Sequence, residues 1–151
     1  MKVVIRKWYS FWRIEPKQRT LLLQALVLLP LVAICLKFWG LNRTQTAMVR
    51  LLPTPVMSQQ CVERLPEALA TARMVRTAAR YCDPWANCLK KSLVLWWLLH
   101  RQGMASNLQI GVRREQGKFE AHAWVEYEGI VLNDTQDIRS HFSMLNRPIL
   151  T

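Results

Sequence analysis

The longest apolar segment of the chain covers residues 20–39, and it is interrupted at Gln24, Pro30 and Lys37. About 20 apolar residues are enough for a helix to cross a bilayer, so the segment predicts a transmembrane helix. Pro30 is expected to kink such a helix, and Lys37 is expected to reach towards the interface. A largely buried helix of a soluble protein gives the same pattern. Both interpretations stay open, and membrane association is expected in some form.

The next segment, residues 42–55, predicts a second short helix that ends in a Pro-Thr-Pro sequence at residues 53–55. Prolines at this spacing are typical of a linker. The predicted organisation is therefore a basic N-terminal helical segment, residues 1–56, followed by a domain of residues 57–151.

Two further helices are predicted in that domain. Residues 61–81 repeat apolar side chains at helical spacing. Asp83 followed by Pro84 is a start signal for the next helix, because an acid is preferred at the N-cap and proline at the first helical position. That helix, residues 85–100, is apolar on nearly all sides, which predicts a buried central helix that ends near Gly103.

Strands are predicted to follow the helices. Residues 108–112 alternate between apolar and polar positions, and two glycine-containing turns separate the later segments. The later predicted strands are residues 119–126 and 130–134. Beyond residue 137 the tail is short and poorly patterned.

The net charge of +11 is concentrated at the N-terminus. Residues 1–50 contain nine Lys and Arg and one acid, Glu15, whereas residues 51–151 contain twelve Lys and Arg and nine acids. A basic arm suits an anionic membrane surface or an acidic peptide. No nucleic-acid-binding motif is visible, so nucleic acid is not expected as a partner.

Four cysteines form no Cys-x-x-Cys pair and show no zinc-ligand spacing; they are Cys35, Cys61, Cys82 and Cys88. Nothing marks the chain as secreted, so reduced thiols and a cytoplasmic location are predicted. No metal and no other cofactor is expected.

Cys88, His122 and Asp134 together fit the chemistry of a cysteine acyl-transfer enzyme. Cys88 falls within the first turn and a half of the predicted buried helix, where unpaired backbone N–H groups favour negative charge. A strand histidine can take the thiol proton, and a carboxylate can orient the imidazole. Each of the three residues alone is more often structural, so the prediction depends on their combination.

The turn before Asp134 decides whether His122 and Asp134 can meet. A two-residue loop at residues 128–129 would set His122 opposite Thr135 and leave Asp134 on the wrong face. A three-residue loop at residues 127–129, with glycine third, would set His122 opposite Asp134. The three-residue loop is therefore predicted.

Rival residues exist for each role. Cys82 is the rival nucleophile, but it precedes the predicted helix start. His100 and His141 are rival bases, and His100 near a helix C-terminus is better explained as a partner of the helix dipole. Asp137 is a weaker rival carboxylate. Trp85 and Trp124 are expected in the core or as walls of the site.

The order of these motifs resembles that of the lasso-peptide leader peptidases, transglutaminase-like cysteine proteases similar to the C-terminal domain of microcin-processing proteins. The motifs are Cys88-Leu89 at the start of a leucine-rich helix, QIGVR at residues 109–113, FEAHAWVE at residues 119–126 and the strand end at Asp134. EPKQR at residues 15–19, before an apolar helix, is similar to the N-terminal helical segment of that family. The resemblance covers most of the chain and is most specific between residues 88 and 134.

The resemblance implies an α+β fold with a papain/transglutaminase-like cysteine protease core and an N-terminal helical segment. It implies that Cys88 is the nucleophile, His122 the general base and acid, and Asp134 the orienting carboxylate. The expected function is removal of the leader from a ribosomally made precursor peptide. Members of the family either carry a leader-recognition module or work with a separate one, and residues 1–60 are predicted to be helical and apolar, so a separate leader-recognition protein is the implied partner. The resemblance also implies an ATP-dependent macrolactam synthetase that acts downstream.

Two alternatives to leader cleavage stay open. The first is a transglutaminase-like acyltransferase, in which an amine replaces water. The second is a non-catalytic membrane-anchored binding module on the same fold.

Overall fold

A computed structural model of the chain describes residues 15–52, 62–82, 86–115 and 117–145. Within these ranges, helices precede a four-stranded antiparallel sheet with the strand order β3-β2-β1-β4. The elements are α1 (Pro16–Arg50), a 3-10 turn (Val62–Arg64), α2 (Leu65–Tyr81), α3 (Cys88–Arg101), β1 (Asn107–Glu115), β2 (Lys118–Tyr127), β3 (Ile130–Val131), α4 (Ile138–His141) and β4 (Ser143–Met144). The expected α+β class is confirmed.

Helix α1 contains the apolar segment and continues through Pro30. Its non-helical interior residue is Gly40, with φ of 73° and ψ of 177°. Glycine reaches positive φ without the steric cost of a Cβ atom. The helix therefore breaks at Gly40, and the predicted second helix corresponds to the part after this break, which ends at Arg50. The predicted linker at residues 53–55 lies outside the described residues.

One face of α1 belongs to the hydrophobic core. Leu22, Ala25, Leu29 and Val32 are buried in the same cluster as Leu93 of α3. Their spacing of three and four residues places them on one side of the helix. By length and composition α1 is also able to cross a membrane. The predicted domain boundary at residues 56 and 57 lies outside the described residues.

Helix α3 is the central element of the fold. All its residues from Ser92 to Leu99 are buried, because α1, α2, β1 and β2 all pack against it. This arrangement explains why the sequence of α3 is apolar on nearly all sides.

The start of α3 differs from the predicted one. Asp83 and Pro84 lie outside the described residues, but Asn87 is not helical and the helix begins at Cys88. The Asn87 side chain accepts a hydrogen bond from the Lys90 N–H at 3.0 Å, which makes Asn87 the N-cap. The prediction that residues 86 and 87 are helical is wrong, because asparagine satisfies the free amides from outside the helix.

Glycine is required at position 111 of β1 because two aromatic side chains approach it. A Cβ atom at Gly111 would lie 2.7 Å from the Cβ of Phe142 and 2.9 Å from the ring of Trp124. Gly111 pairs with His122 of β2. The close approach therefore lies next to the predicted catalytic histidine.

The segment after residue 137 is structured, although its sequence is poorly patterned. It contains α4 and then β4, which pairs Ser143 and Met144 with β1. Phe142, between these elements, packs against a small second core that contains Trp124. This segment thus closes the far side of the sheet next to His122.

Candidate active site

The turn between β2 and β3 has two residues, not the three predicted. Tyr127 pairs with Ile130, and the loop consists of Glu128 and Gly129, with φ of 49° and 76°. Positive φ at both central residues matches the twist of antiparallel strands. The predicted three-residue loop is therefore wrong.

His122 and Asp134 nevertheless meet, because the chain leaves the strand ladder before it reaches Asp134. Residues 132–134 form bends, and the Asn133 side-chain oxygen accepts the Val125 N–H at 2.8 Å. The bends free Asp134 from the strict face alternation of a strand. His122 Nε2 lies 2.5 Å from Asp134 Oδ2.

The contacts around this pair set the orientation of the imidazole. The other Asp134 oxygen accepts the Thr135 N–H at 2.8 Å. The Phe142 and Trp124 rings stack on His122, with centroid distances of 5.4 and 6.3 Å. When Nε2–H of a neutral imidazole donates to a carboxylate, Nδ1 carries the free lone pair and can accept a proton.

Cys88 lines the same cavity as His122 and Asp134, and the cavity has a volume of about 520 Å³. The Cys88 thiol is free and partly exposed. The structure therefore brings the three residues predicted from the sequence to one cavity. His122 and Asp134 are each about a quarter exposed.

The N-terminus of α3 presents backbone amides near Cys88. Asn87 accepts the Lys90 N–H with its side chain and the Lys91 N–H with its backbone oxygen, at 3.0 and 3.1 Å. The amides of Cys88 and Leu89 have no acceptor within the helix. Such amides are suited to stabilise an anion at the helix start.

A buried hydrogen-bond network that the sequence did not predict supports the bends before Asp134. Ser92 of α3 donates to the Ala123 carbonyl at 2.8 Å, and Asn133 Nδ2 donates to Ser92 Oγ at 2.8 Å. Together with the bond from Val125 N–H to Asn133, these contacts join α3 and β2 at the site. The only sequence signal was that Ser92 is a polar residue directly before the apolar run of residues 93–99.

The rival residues lie away from the cavity. Cys82 Sγ is 3.9 Å from a backbone carbonyl of α1. His100 Nδ1 is 3.0 Å from the Trp96 carbonyl, and burial lowers the pKa of His100. His141 is exposed, 3.3 Å from Asp137. None of Cys82, His100, His141 and Asp137 lines the cavity.

Two residues considered in the sequence, Cys61 and Trp85, lie outside the described residues. Trp124 is fully buried, so it belongs to the core as well as to the wall beside His122. In the part of the chain that the structure describes, no group of three His, Cys, Asp or Glu side chains is placed to hold a metal ion.

Comparison with protein-family models gives a match to the transglutaminase-like superfamily over residues 25–147. Searches of curated proteins and of solved structures give no significant match. The matched range contains Cys88, His122 and Asp134, and it begins within α1. The apolar helix is thus included in the family match as well as in the core.

Proposed function

The chain belongs to the transglutaminase-like superfamily, and on this basis we propose that it is a cysteine peptidase that removes the leader from a lasso-peptide precursor. The proposal rests on one observation: Cys88, at a helix start, shares a cavity with the hydrogen-bonded pair His122 and Asp134. Family membership supports cysteine-dependent acyl transfer. The assignment to leader cleavage is supported by the resemblance of the QIGVR and FEAHAWVE motifs.

In the proposed reaction, Nδ1 of His122 takes the proton of the Cys88 thiol. The thiolate attacks the carbonyl carbon of the leader–core amide, and the Cys88 N–H donates to the oxyanion. The imidazolium then gives its proton to the leaving amine as the C–N bond breaks, which leaves a thioester on Cys88. Asp134 holds the imidazole orientation and stabilises its charged form throughout.

Water completes the reaction. His122 takes a proton from water, the resulting hydroxide attacks the thioester, and the thiol leaves with the proton. An amine in place of water would give the acyltransferase alternative with the same residues. The leader peptide is then joined to the amine instead of being released as an acid.

Within this proposal the partners are a precursor peptide, a separate leader-recognition protein and an ATP-dependent macrolactam synthetase that acts on the released core. The reaction requires no cofactor and no nucleic acid. The location is cytoplasmic, with residues 20–39 at the membrane.

Cleavage of the precursor by matched cysteine variants tests the proposal. The precursor is incubated with the chain and the recognition protein, and the products are identified by mass spectrometry. We expect Cys88→Ala to lose cleavage and Cys82→Ala to keep it, because Cys82 lies outside the cavity. Cleavage that persists in Cys88→Ala would refute the nucleophile assignment.

The same reaction with added glycine methyl ester distinguishes the acyltransferase. A leader product with the mass of the amine adduct, in preference to the free acid, would favour the amine as the natural acceptor. If the folded wild-type chain gives neither product with any precursor encoded by a neighbouring gene, the non-catalytic alternative is favoured.

The exposed face of α1 supports the proposed membrane association. Leu23, Val27, Leu31, Ile34 and Phe38 are all exposed, with Val27 at 67% and Phe38 at 74%. They follow one another at intervals of three and four residues and so form a continuous stripe. The basic residues of the N-terminal segment would complement an anionic surface.

Co-sedimentation with phosphatidylglycerol vesicles tests this association. We expect the double variant Val27→Gln/Phe38→Gln to bind vesicles less than the wild type. Phe119→Gln, at an exposed aromatic residue of β2, is the control and should bind normally. Equal sedimentation of the wild type and the α1 variant would contradict the association through this stripe.

A further inference from the structure

The cavity beside Cys88 combines an apolar wall with a cationic rim. Its apolar wall is formed by the first turns of α2. The residues on which the inference depends are Leu65, Leu69, Arg73 and Arg76 of α2 and Lys91 of α3, all of which line the cavity.

The three cations of this rim are uncompensated. Among the described residues, Arg73, Arg76 and Lys91 have no hydrogen-bond or ion-pair partner on their side chains. Some other cations of the chain are paired: Arg113 with Glu120, for example, and Arg139 with Glu126. At the cavity, by contrast, all three of the cations that line it are unpaired within the described part of the chain.

Nearby acids do not neutralise the rim. Asp134 is the acid that lines the cavity in the described part of the chain, and it is bonded to His122. Glu67, six residues before Arg73 on α2, is bound by Arg64 at 2.9 Å and Lys17 at 3.4 Å. The Arg64 hydrogen bond lowers the pKa of Glu67. A ligand carboxylate is the group that would compensate the rim.

The distances between Leu69, Arg73 and Arg76 along α2 set the distance between the apolar group and the carboxylate of such a ligand. Leu69, Arg73 and Arg76 lie at intervals of four and three residues, so they share one face of the helix. At 1.5 Å per residue, Arg73 is about 6 Å beyond Leu69 and Arg76 about 10 Å beyond it. An extended peptide covers those distances in roughly two to three residues.

We propose that this cavity binds the acyl-donor peptide through an acidic side chain that lies two or three residues from an apolar one. The carboxylate contacts Arg73, Arg76 and Lys91, and the apolar side chain packs on Leu65 and Leu69. The identity of the ligand as the acyl donor rests on the proposed function. The preference for a carboxylate next to Cys88 does not, and it can be measured without a peptide.

Alkylation of Cys88 by iodoacetate and by iodoacetamide measures that preference. The two reagents have nearly the same size and differ by one negative charge. The rate constant at Cys88 is measured for each by mass spectrometry of the intact chain and its fragments. The ratio of the two rate constants reports the local potential and cancels changes in thiol reactivity.

We expect Arg73→Gln/Arg76→Gln to lower the iodoacetate-to-iodoacetamide ratio by about tenfold, since a charge at 6 Å in a water-like dielectric contributes roughly threefold. Lys91→Gln should lower it by about threefold. Arg80→Gln is the matched control, because Arg80 is exposed on the same helix but does not line the cavity. A ratio that is unchanged in the double variant, or that falls equally in Arg80→Gln, would overturn the inference. So would a failure of both reagents to label Cys88.

Peptidyl chloromethyl ketones test the ligand itself. Two acetylated probes are compared, one with aspartate and one with asparagine at a position two residues from a leucine. Each probe is made in two versions, with the leucine before or after that position. We expect the aspartate probe to inactivate the wild type faster, and the difference to vanish in Arg73→Gln/Arg76→Gln. Leu69→Ser should slow both probes equally. Equal rates for the two probes in both orders would refute the peptide part of the inference.

These results separate the inference from the proposed function. A carboxylate preference at Cys88 without cleavage of any precursor would refute leader cleavage and leave the anion site intact. Cleavage by Cys88 with no carboxylate preference would refute the anion site and leave leader cleavage intact.

Discussion

Ser92→Ala tests whether the buried network at the base of the site holds the fold together. The Ser92 hydroxyl is fully buried, donates to the Ala123 carbonyl and accepts from Asn133 Nδ2, each at 2.8 Å. The substitution removes both hydrogen bonds without a large change in volume. The Ala123 carbonyl then lacks the donor that Ser92 supplied, and Asn133 Nδ2 lacks the acceptor that Ser92 supplied.

The magnitude follows from these losses. A hydrogen bond contributes about 1 kcal/mol net, and a buried polar group such as the Ala123 carbonyl costs about 1–3 kcal/mol when it loses its partner. We therefore expect the free energy of unfolding of Ser92→Ala to fall by about 2–4 kcal/mol. For a chain of this length the melting temperature should fall by roughly 5–15 °C.

Urea titration followed by tryptophan fluorescence measures the loss. A double-mutant cycle with Asn133→Ala tests the contact directly, because two residues in one network should show a coupling of about 1–2 kcal/mol. Thr77→Ala is the control, since Thr77 only bonds the Arg73 carbonyl of its own helix. It should change the stability by less than about 0.5 kcal/mol.

Two results would refute this reasoning. One is a loss in Ser92→Ala no larger than that in Thr77→Ala. The other is strict additivity of Ser92→Ala and Asn133→Ala. The network also precedes Asp134 directly, so cleavage assays on Ser92→Ala should show a reduced kcat with an unchanged KM if it positions the carboxylate.

Three further predictions concern separate parts of the fold. Gly111→Ala should lower the free energy of unfolding measured by urea titration by about 1–3 kcal/mol, because its Cβ would lie 2.7 Å from that of Phe142. A variant as stable as the wild type would contradict the close approach. Burial lowers the pKa of His100 below its ordinary value of 6.5, so the unfolded state binds more protons and stability falls as the pH drops below 6.5. His100→Gln should lose less stability than the wild type between neutral and mildly acidic pH, and equal losses would exclude His100 as a cause. Trp97→Phe removes the bond from the buried indole N–H to the Met48 carbonyl at 3.0 Å and should cost about 1–3 kcal/mol by thermal unfolding; an unchanged melting temperature would show that this contact does not hold α1 to α3.

The elements of this protein are largely determined by local sequence. Helical spacing predicted α2 with its end at Tyr81, although the helix begins at Leu65 and not at residue 61, and alternation predicted β1 and β2. The alternation of apolar and polar residues is a local property of the sequence, so the helical period of 3.6 residues and the strand period of 2 residues are visible without a structure. The same holds for the buried character of α3 and for a helix across residues 20–39.

The three candidate site residues share one cavity, but the geometry predicted between them was wrong. Cys88, His122 and Asp134 do line one cavity, yet the predicted register of the β2–β3 turn was wrong. The hairpin rule assumed that the ladder continues to Asp134. It ends at Val131, because the Asn133 side chain takes the place of a backbone partner for Val125.

Sequence by itself thus determined the order and polarity of the elements, and it identified Cys88, His122 and Asp134 as candidate site residues. Only the tertiary structure decided the approach of Asp134 to His122, the cover of His122 by Phe142, and the grouping of unpaired cations at the cavity. The physical reason is the range of the interactions. Periodicity and capping act within a few residues, whereas side-chain bonds such as that between Ser92 and Asn133 join positions far apart in the chain, so local sequence does not show which residue is the partner.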